Sequence, residues 1–173
     1  MNHFSIESYM WHLTYPGREK TFSEGKQMEY SCQKLTLKDI GMVMDMNRNY
    51  REGFICYENA VTFLKNEKNW IFAAVLDNVI IGFAYGYELN RLDHAGNMLY
   101  IHEVGVMERY QRQGVGYKMM TELKLACKNR NICRYFLSAY QNNAGANALY
   151  KKLGGVVSEE SKGNDTDYIF FTK

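Results

Sequence analysis

From residue 28 onward, short apolar runs alternate with amphipathic stretches, and the alternation predicts a mixed order of strands and helices. MEYSCQKLT, residues 28–36, reads as a first strand, and Leu37–Asn47 as a short amphipathic helix. A second helix is predicted over Tyr57–Asn66, with Ala60, Val61 and Leu64 at core-facing spacing. Trp70–Leu76 and Val79–Glu88 are β-rich runs joined by Asp77-Asn78, a two-residue hairpin signal. Polar Asn90–Asn97 predicts a loop, and Met98–Val106 a third central strand. The period then changes. Val115, Met119, Met120, Leu123, Ala126 and Cys127 recur at helical spacing, which predicts a helix to about Arg130 with the Met119-Met120 pair as core packing. Cys133–Tyr140 reads as a strand, Gly145–Leu153 as a helix stopped by Gly154-Gly155, and Tyr168–Thr172 as a closing strand.

Antiparallel hairpins thus come first, followed by strand–helix–strand–helix–strand. Short connections across Val104–Tyr140 favour parallel pairing through a right-handed crossover. The expected fold class is α/β (α+β): a single domain with a mixed, mostly antiparallel sheet flanked by helices. Residues 1–27 stand apart, holding the only proline, Pro16, scattered aromatics and no clean periodicity. They are expected to form a peripheral extension to a domain over residues 28–173, with Met28 an alternative start.

Composition narrows the classes. The chain has 173 residues, enough for one domain with a sizeable core. A net charge of +2 is too mild to argue for nucleic acid as a partner. The longest apolar runs are too short to cross a bilayer, and the N-terminus has no apolar signal region, so no membrane partner is expected and the expected location is cytoplasmic. None of Cys32, Cys56, Cys127 and Cys133 forms a CxxC pair, and no histidine pair has zinc-ligand spacing. Reduced, mostly buried thiols and no metal are expected. His102 and Glu103 are strand neighbours, which should point to opposite faces and not share a ligand.

The chemistry centres on QRQGVGYKMM, residues 111–120. Gly114-Val115-Gly116 at a helix start offers open backbone N–H groups and the positive end of the helix dipole, a ready anion site. The phosphate loop GxxxxGK[ST] does not fit, because Tyr117-Lys118 follow Gly116 and no Ser or Thr comes next. The dinucleotide turn GxGxxG does not fit either, because Met119 occupies its third glycine position. Gln/Arg-x-x-Gly-x-Gly/Ala does fit Gln111–Gly116, between a strand ending Val104-Gly105-Val106 and the later Asn143…Ala148-Leu149-Tyr150-Lys151-Lys152-Leu153-Gly154.

With these segments in this order, the chain from about Met28 to its end resembles the GNAT superfamily of acetyl-CoA-dependent N-acetyltransferases. LYIHEVGVMERYQRQGVG followed by ALYKKLGG looks most like the aminoglycoside 3-N-acetyltransferases, which carry an acidic residue where Glu103 stands. The resemblance implies a sheet splayed between its fourth and fifth strands to admit acetyl-CoA. It implies that backbone groups of Val104 and Val106 pair with the acetyl and pantetheine arm. The turn of Arg112, Gln113, Gly114, Val115, Gly116 and Tyr117 would hold the coenzyme A pyrophosphate. Asn143 matches a position that contacts the pantetheine arm, and Tyr150 the tyrosine that protonates the departing thiolate. Homodimers are common among such relatives, so the resemblance allows a homodimer while the sequence identifies no interface.

The residues themselves suit these roles. An alkylammonium near pKa 10 must lose a proton before it can attack, and Glu103, charged within an apolar strand, is a sensible acceptor. Burial there would raise its pKa towards a useful range. Gly105 permits a bulge that re-aims neighbouring groups. Tyr150 is neutral at pH 7 and can protonate a leaving thiolate. Each residue also has a plainer role: Glu103 as an ion-pair partner of Arg109 or Arg112, Tyr150 in core packing, Asn143 as a helix N-cap, the turn as a connector.

The expected acceptor is a small-molecule primary amine, an aminoglycoside among the candidates, with a peptide or protein amine, or acyl-CoA binding without catalysis, as alternatives. A polycation calls for an acidic site, and Glu52, Glu58, Glu88, Asp93, Glu159, Glu160, Asp165 and Asp167 are its candidates. Arg48, Arg51 and Arg91 would suit an anionic or peptide acceptor instead.

Overall fold

A computed structural model describes residues 28–50, 54–93, 96–159, 161 and 163–173. The expected extension over residues 1–27 lies outside the described residues, as do Arg51, Glu52 and Glu160. The elements are β1 (Ser31–Lys34), α1 (Ile40–Asn49), α2 (Tyr57–Lys65), β2 (Asn69–Leu76), β3 (Val79–Leu89), β4 (Asn97–Val106), α3 (Val115–Asn129), β5 (Ile132–Tyr140), α4 (Ala144–Lys152), β6 (Val156–Val157) and β7 (Asp165–Phe171).

Most boundaries fall within two residues of those predicted. The first strand is shorter than its apolar pattern, because Asp39 accepts a hydrogen bond from the Thr36 N–H at 2.8 Å and turns the chain into a 3₁₀ segment before α1. The two-residue β6, exposed and set just after the αL turn at Gly154, carries no pattern long enough to read. Asp77 and Asn78 have φ of +49° and +60°, the paired left-handed conformation that a two-residue hairpin turn requires.

The sheet has seven strands in the order β1-β2-β3-β4-β5-β7-β6, and β4–β5 is its parallel pair, as the crossover predicted. Met119, Met120 and Leu123 of α3, with Tyr150 of α4, bury one face of the sheet. Val43 and Met46 of α1, with Ala60 of α2, bury the other. Among the described residues, no helix is long and apolar enough to cross a membrane.

The sheet opens where expected. β4 and β5 pair from Asn97↔Ile132 to Tyr100↔Phe136 and then part. Beyond that point β4 continues with β3 as far as Val106, and β5 with β7 as far as Tyr140. One edge of Ile101–Val106 is therefore left without a ladder partner, and such an edge must find other groups to bond.

The closed end of the junction is pinned by Glu88, which is 7% exposed. Its carboxylate accepts from Asn97 Nδ2 at 2.6 Å, Arg130 Nε at 2.7 Å and Trp70 Nε1 at 3.3 Å. Burial alone would raise the Glu88 pKa, but the hydrogen bonds from Arg130, Asn97 and Trp70 together outweigh it and hold the carboxyl below its ordinary value of 4.5. A depressed carboxyl contributes stability that is present above its unfolded pKa and lost as pH falls through the folded one. Glu88→Gln should therefore cost about 2–3 kcal/mol near neutrality. The gap between variant and wild type should narrow in acid, which thermal unfolding followed from pH 7 to pH 3 measures.

Candidate active site

The two glycines of the turn do different work. Gly114 has φ of +83°, and a Cβ there would meet nothing within 4 Å, so glycine serves the left-handed backbone. Gly116 serves proximity: a Cβ would lie 3.3 Å from Leu149 Cδ2 and 3.5 Å from Val106 Cγ2, where α3 packs against α4 and the end of β4. Arg112 is also left-handed, with φ of +61°. Left-handed residues flank Gln113 just ahead of a helix, the kind of backbone alternation that presents N–H groups to an anion.

The glutamines brace this loop. Gln111 Nε2 donates to Val106 O at 2.9 Å, and Gln113 Nε2 donates to Arg109 O at 2.7 Å. Val115 is core, 1% exposed, whereas Tyr117 is exposed and has Lys152 Nζ 4.8 Å from its ring centroid. Val104 and Val106 are half-buried on the unpaired edge of β4. An edge without a strand partner, whose Val106 carbonyl is held by Gln111, beside a turn at a helix start suits a ligand with an amide-bearing arm and a phosphate group.

Glu103 stands on the opposite face, for a reason the strand pattern hid. Tyr85 pairs with Glu103, but the next residue, Gly86, pairs with Ile101, so His102 is an extra residue in β4. This bulge turns His102 and Glu103 towards the same face: the Tyr85 ring lies 5.1 Å from the His102 ring, and Tyr85 and Glu103 line one cavity. The expected opposite orientation is thus overturned. Gly105, whose backbone permits a bulge, instead pairs regularly with Phe83 and makes room for its ring, 2.6 Å from where a Cβ would sit.

The cavity holds about 280 Å³ between α1, α2 and β3. Its aromatic walls are Tyr50, Phe54, Phe63, Phe83, Tyr85 and Tyr87, none of them singled out by sequence reasoning. The period-two spacing of Phe83, Tyr85 and Tyr87 was the available signal. Asn47 fastens the link between α1 and α2, its Oδ1 accepting from Ile55 N and its Nδ2 donating to Ile55 O, both at 2.6 Å. Tyr50 Oη donates to Ile80 O at 3.0 Å, which anchors the end of α1 on β3. Among the described residues, Glu103 is the one carboxylate that lines the cavity.

The other described acidic candidates do not gather there. Glu88 is held by Arg130, Asp93 pairs with Arg91 at 2.7 Å, and Asp167 accepts from Ser138 Oγ. Glu58, Glu159 and Asp165 do not line the cavity either.

Tyr150 is 5% exposed and lies beside Tyr168 and Phe170 on the α3/α4 face. Burial, with a smaller contribution from Tyr168, pushes its pKa up to about 12. Its hydroxyl has no hydrogen-bond partner among the described residues, yet it is not enclosed as the orphaned Tyr135 hydroxyl is. Asn143 is the N-cap of α4, accepting from Ala146 N at 3.1 Å, so its plainer role is present. The four cysteines are free, but only Cys127 is buried and Cys56 is exposed, short of the burial expected of them.

Similar proteins place this architecture. A curated N-alpha-acetyltransferase of Saccharolobus solfataricus is 24% identical over 135 residues, covering 74% of this chain and 81% of that one. The crystal structure of the aminoglycoside acetyltransferase meta-AAC0020, from an uncultured soil metagenomic sample and in complex with sisomicin, superposes with a TM-score of 0.70. It is 20% identical, over 78% of this chain and 93% of that one. Arabidopsis thaliana NAA60 in complex with acetyl-CoA gives 0.64 at 16% identity, over 83% and 98% of the two chains. At these identities the structural likeness concerns the fold. Residues 40–155 match the family description "Acetyltransferase (GNAT) family". With most of its length matched, and with the splayed strands and the glycine turn it shows, this chain belongs to the GNAT family of acetyltransferases.

Proposed function

We propose that the protein transfers an acetyl group from acetyl-CoA to the primary amine of a small-molecule acceptor, by direct attack in a ternary complex. One observation carries the reading: the parting of β4 and β5 separates the glycine turn on the α3/α4 side from the Glu103 cavity on the α1/α2 side. Donor and acceptor then approach the same unpaired edge from opposite faces.

Bound acetyl-CoA supplies an acetyl carbon activated as a thioester. The turn from Arg112 through Gln113, Gly114, Val115 and Gly116 to Tyr117 holds its pyrophosphate, and the backbone of Val104 and Val106 pairs with its arm. Asn143, with Oδ1 engaged by the cap, keeps Nδ2 for the same arm. Glu103 takes the proton of the acceptor ammonium. Tyr150 gives a proton to the leaving sulfur, and a pKa of about 12 keeps that proton available throughout the physiological range. Tyr150→Phe should lower turnover about 10–100-fold while leaving the KM for acetyl-CoA within twofold. Wild-type activity should show no alkaline loss from Tyr150 below about pH 11.

Thiol release from acetyl-CoA across a panel of amines, with products weighed by mass spectrometry, tests the reading. Amine-dependent release with one acetyl added per thiol supports it. Tight acetyl-CoA binding without acetylation of any amine overturns it in favour of a binding module. The aromatic floor continues outward from the cavity through His102 and Tyr100 to Phe136, which favours a peptide amine as the second reading. Acetylation of free peptide N-termini ahead of every small amine would establish it.

A further inference from the structure

Resting on that reading, we infer that Lys152, seated over the Tyr117 ring, receives the 3′-phosphate of the donor's adenosine and makes the protein prefer coenzyme A to its dephospho form. Acetyl-CoA continues past its pyrophosphate in two directions: the arm on one side, and on the other an adenosine that carries the 3′-phosphate. The arm is assigned to the edge of Val104 and Val106 and to Asn143, the N-cap of α4. From there α4 runs about 13 Å to Lys152 in its last turn. Leu149 of α4 lies against the glycine turn, with Cδ2 3.3 Å from where a Gly116 Cβ would sit. Lys152, three residues on and on the same side of the helix, brings Nζ to 4.8 Å from the Tyr117 ring centroid. The helix thus starts at the arm and ends beside the turn, where the nucleotide end of the donor emerges.

Charge singles out Lys152. A phosphate monoester carries close to two negative charges at neutral pH. The pyrophosphate has the start of α3 for a partner, but the monoester lies beyond the turn and needs a side-chain cation. Arg112 stands in the turn with the pyrophosphate. Lys118 Nζ donates to Tyr30 O at 3.2 Å and lies over the Tyr30 ring, and Arg109 lies over the Tyr110 ring. Lys151 is set about 100° around α4 from Lys152. Lys152 is exposed and pairs with no carboxylate among the described residues. Tyr117 is 40% exposed, so its ring places the ammonium and leaves it open to an anion. A lysine meets a phosphate as a point charge with three donors, which suits a monoester at an open site.

Calorimetric titration of the full chain with coenzyme A and with dephospho-coenzyme A, at low ionic strength, tests the assignment. Wild type should bind coenzyme A about tenfold tighter than the dephospho form. Lys152→Met should bring the two affinities within about threefold, by weakening coenzyme A and leaving the dephospho form within about twofold of wild type. The dephospho form thereby controls for folding. Tyr117→Leu should lower the preference to about threefold and Tyr117→Phe should preserve it, as a ring that places the ammonium requires. A wild-type preference below about threefold, or a Lys152→Met protein that loses both ligands alike, overturns the inference and leaves acetyl transfer standing. Full preference in Tyr117→Leu overturns the part given to the ring. Wild type that binds neither ligand overturns acetyl transfer and the inference together.

Discussion

Replacing Glu103 with Gln should lower kcat at pH 7 by about 100-fold or more, with the deficit shrinking as pH rises towards the pKa of the amine near 10. Glutamine keeps the size of the side chain and an acceptor oxygen but cannot hold a proton, so the variant isolates base function from packing. At low pH nearly every acceptor molecule arrives as ammonium, and the protein must remove the proton. At high pH solvent has already removed it, and the carboxylate matters less. The KM for acetyl-CoA should change little, because the glycine turn and Glu103 lie on opposite sides of the sheet. The pH–rate profiles of wild type and variant, measured with one amine from pH 6 to pH 10, check this. Parallel profiles would remove Glu103 as the base. His102, turned to the same face by the bulge and 3.3 Å from Tyr100 Oη, would then be the next group to test.

Gly86→Ala should destabilise the fold by about 3 kcal/mol or more, beyond what ordinary overpacking brings. An added Cβ would sit 1.9 Å from Tyr100 O, 2.8 Å from Tyr100 C and 2.9 Å from Ile101 Cα. All three are backbone atoms, so no side chain can rotate out of the way. The neighbouring strand must shift, and it is the strand whose bulge directs Glu103 into the cavity. Acetyl transfer should therefore fall further than the folded fraction does. Gly41→Ala is the control: a Cβ there meets nothing within 4 Å in α1, and stability should hold or rise by about 0.5–1 kcal/mol. Thermal unfolding of both variants, with turnover measured well below each Tm, checks the pair. An unperturbed Gly86→Ala protein would mean that β3 and β4 do not approach as closely as the structure shows.

These two residues mark how far the sequence could be read. Local rules were sufficient for the hairpin at Asp77-Asn78, for the parallel β4–β5 pair and for the helix that starts at Val115. The turn at Gly114 was legible because a positive φ at a helix start demands glycine from its own neighbours alone. The bulge was not. Counting by twos put His102 and Glu103 on opposite faces, and only the register against β3 shows the extra residue. Gly105 offered backbone freedom for a bulge, yet its position is set by the Phe83 ring packed against it.

Carboxylates show the same division. Read along the chain, Glu88 and Asp93 were as eligible for an acidic site as Glu103. The fold commits Glu88 to Asn97, Arg130 and Trp70, and Asp93 to Arg91, and places Glu103 on the cavity wall. The sequence by itself determined the order of the main elements, the glycine turn at the start of α3 and, through them, the family, because periodicity, hairpin chemistry and helix starts depend on residues a few positions apart. The tertiary structure decided which face Glu103 serves, which partners Glu88 and Asp93 take, and that aromatic rings from the α1–α2 link, α2 and β3 line one cavity. Those outcomes depend on strand register and on close approaches between residues distant in the chain, which short-range patterns do not encode.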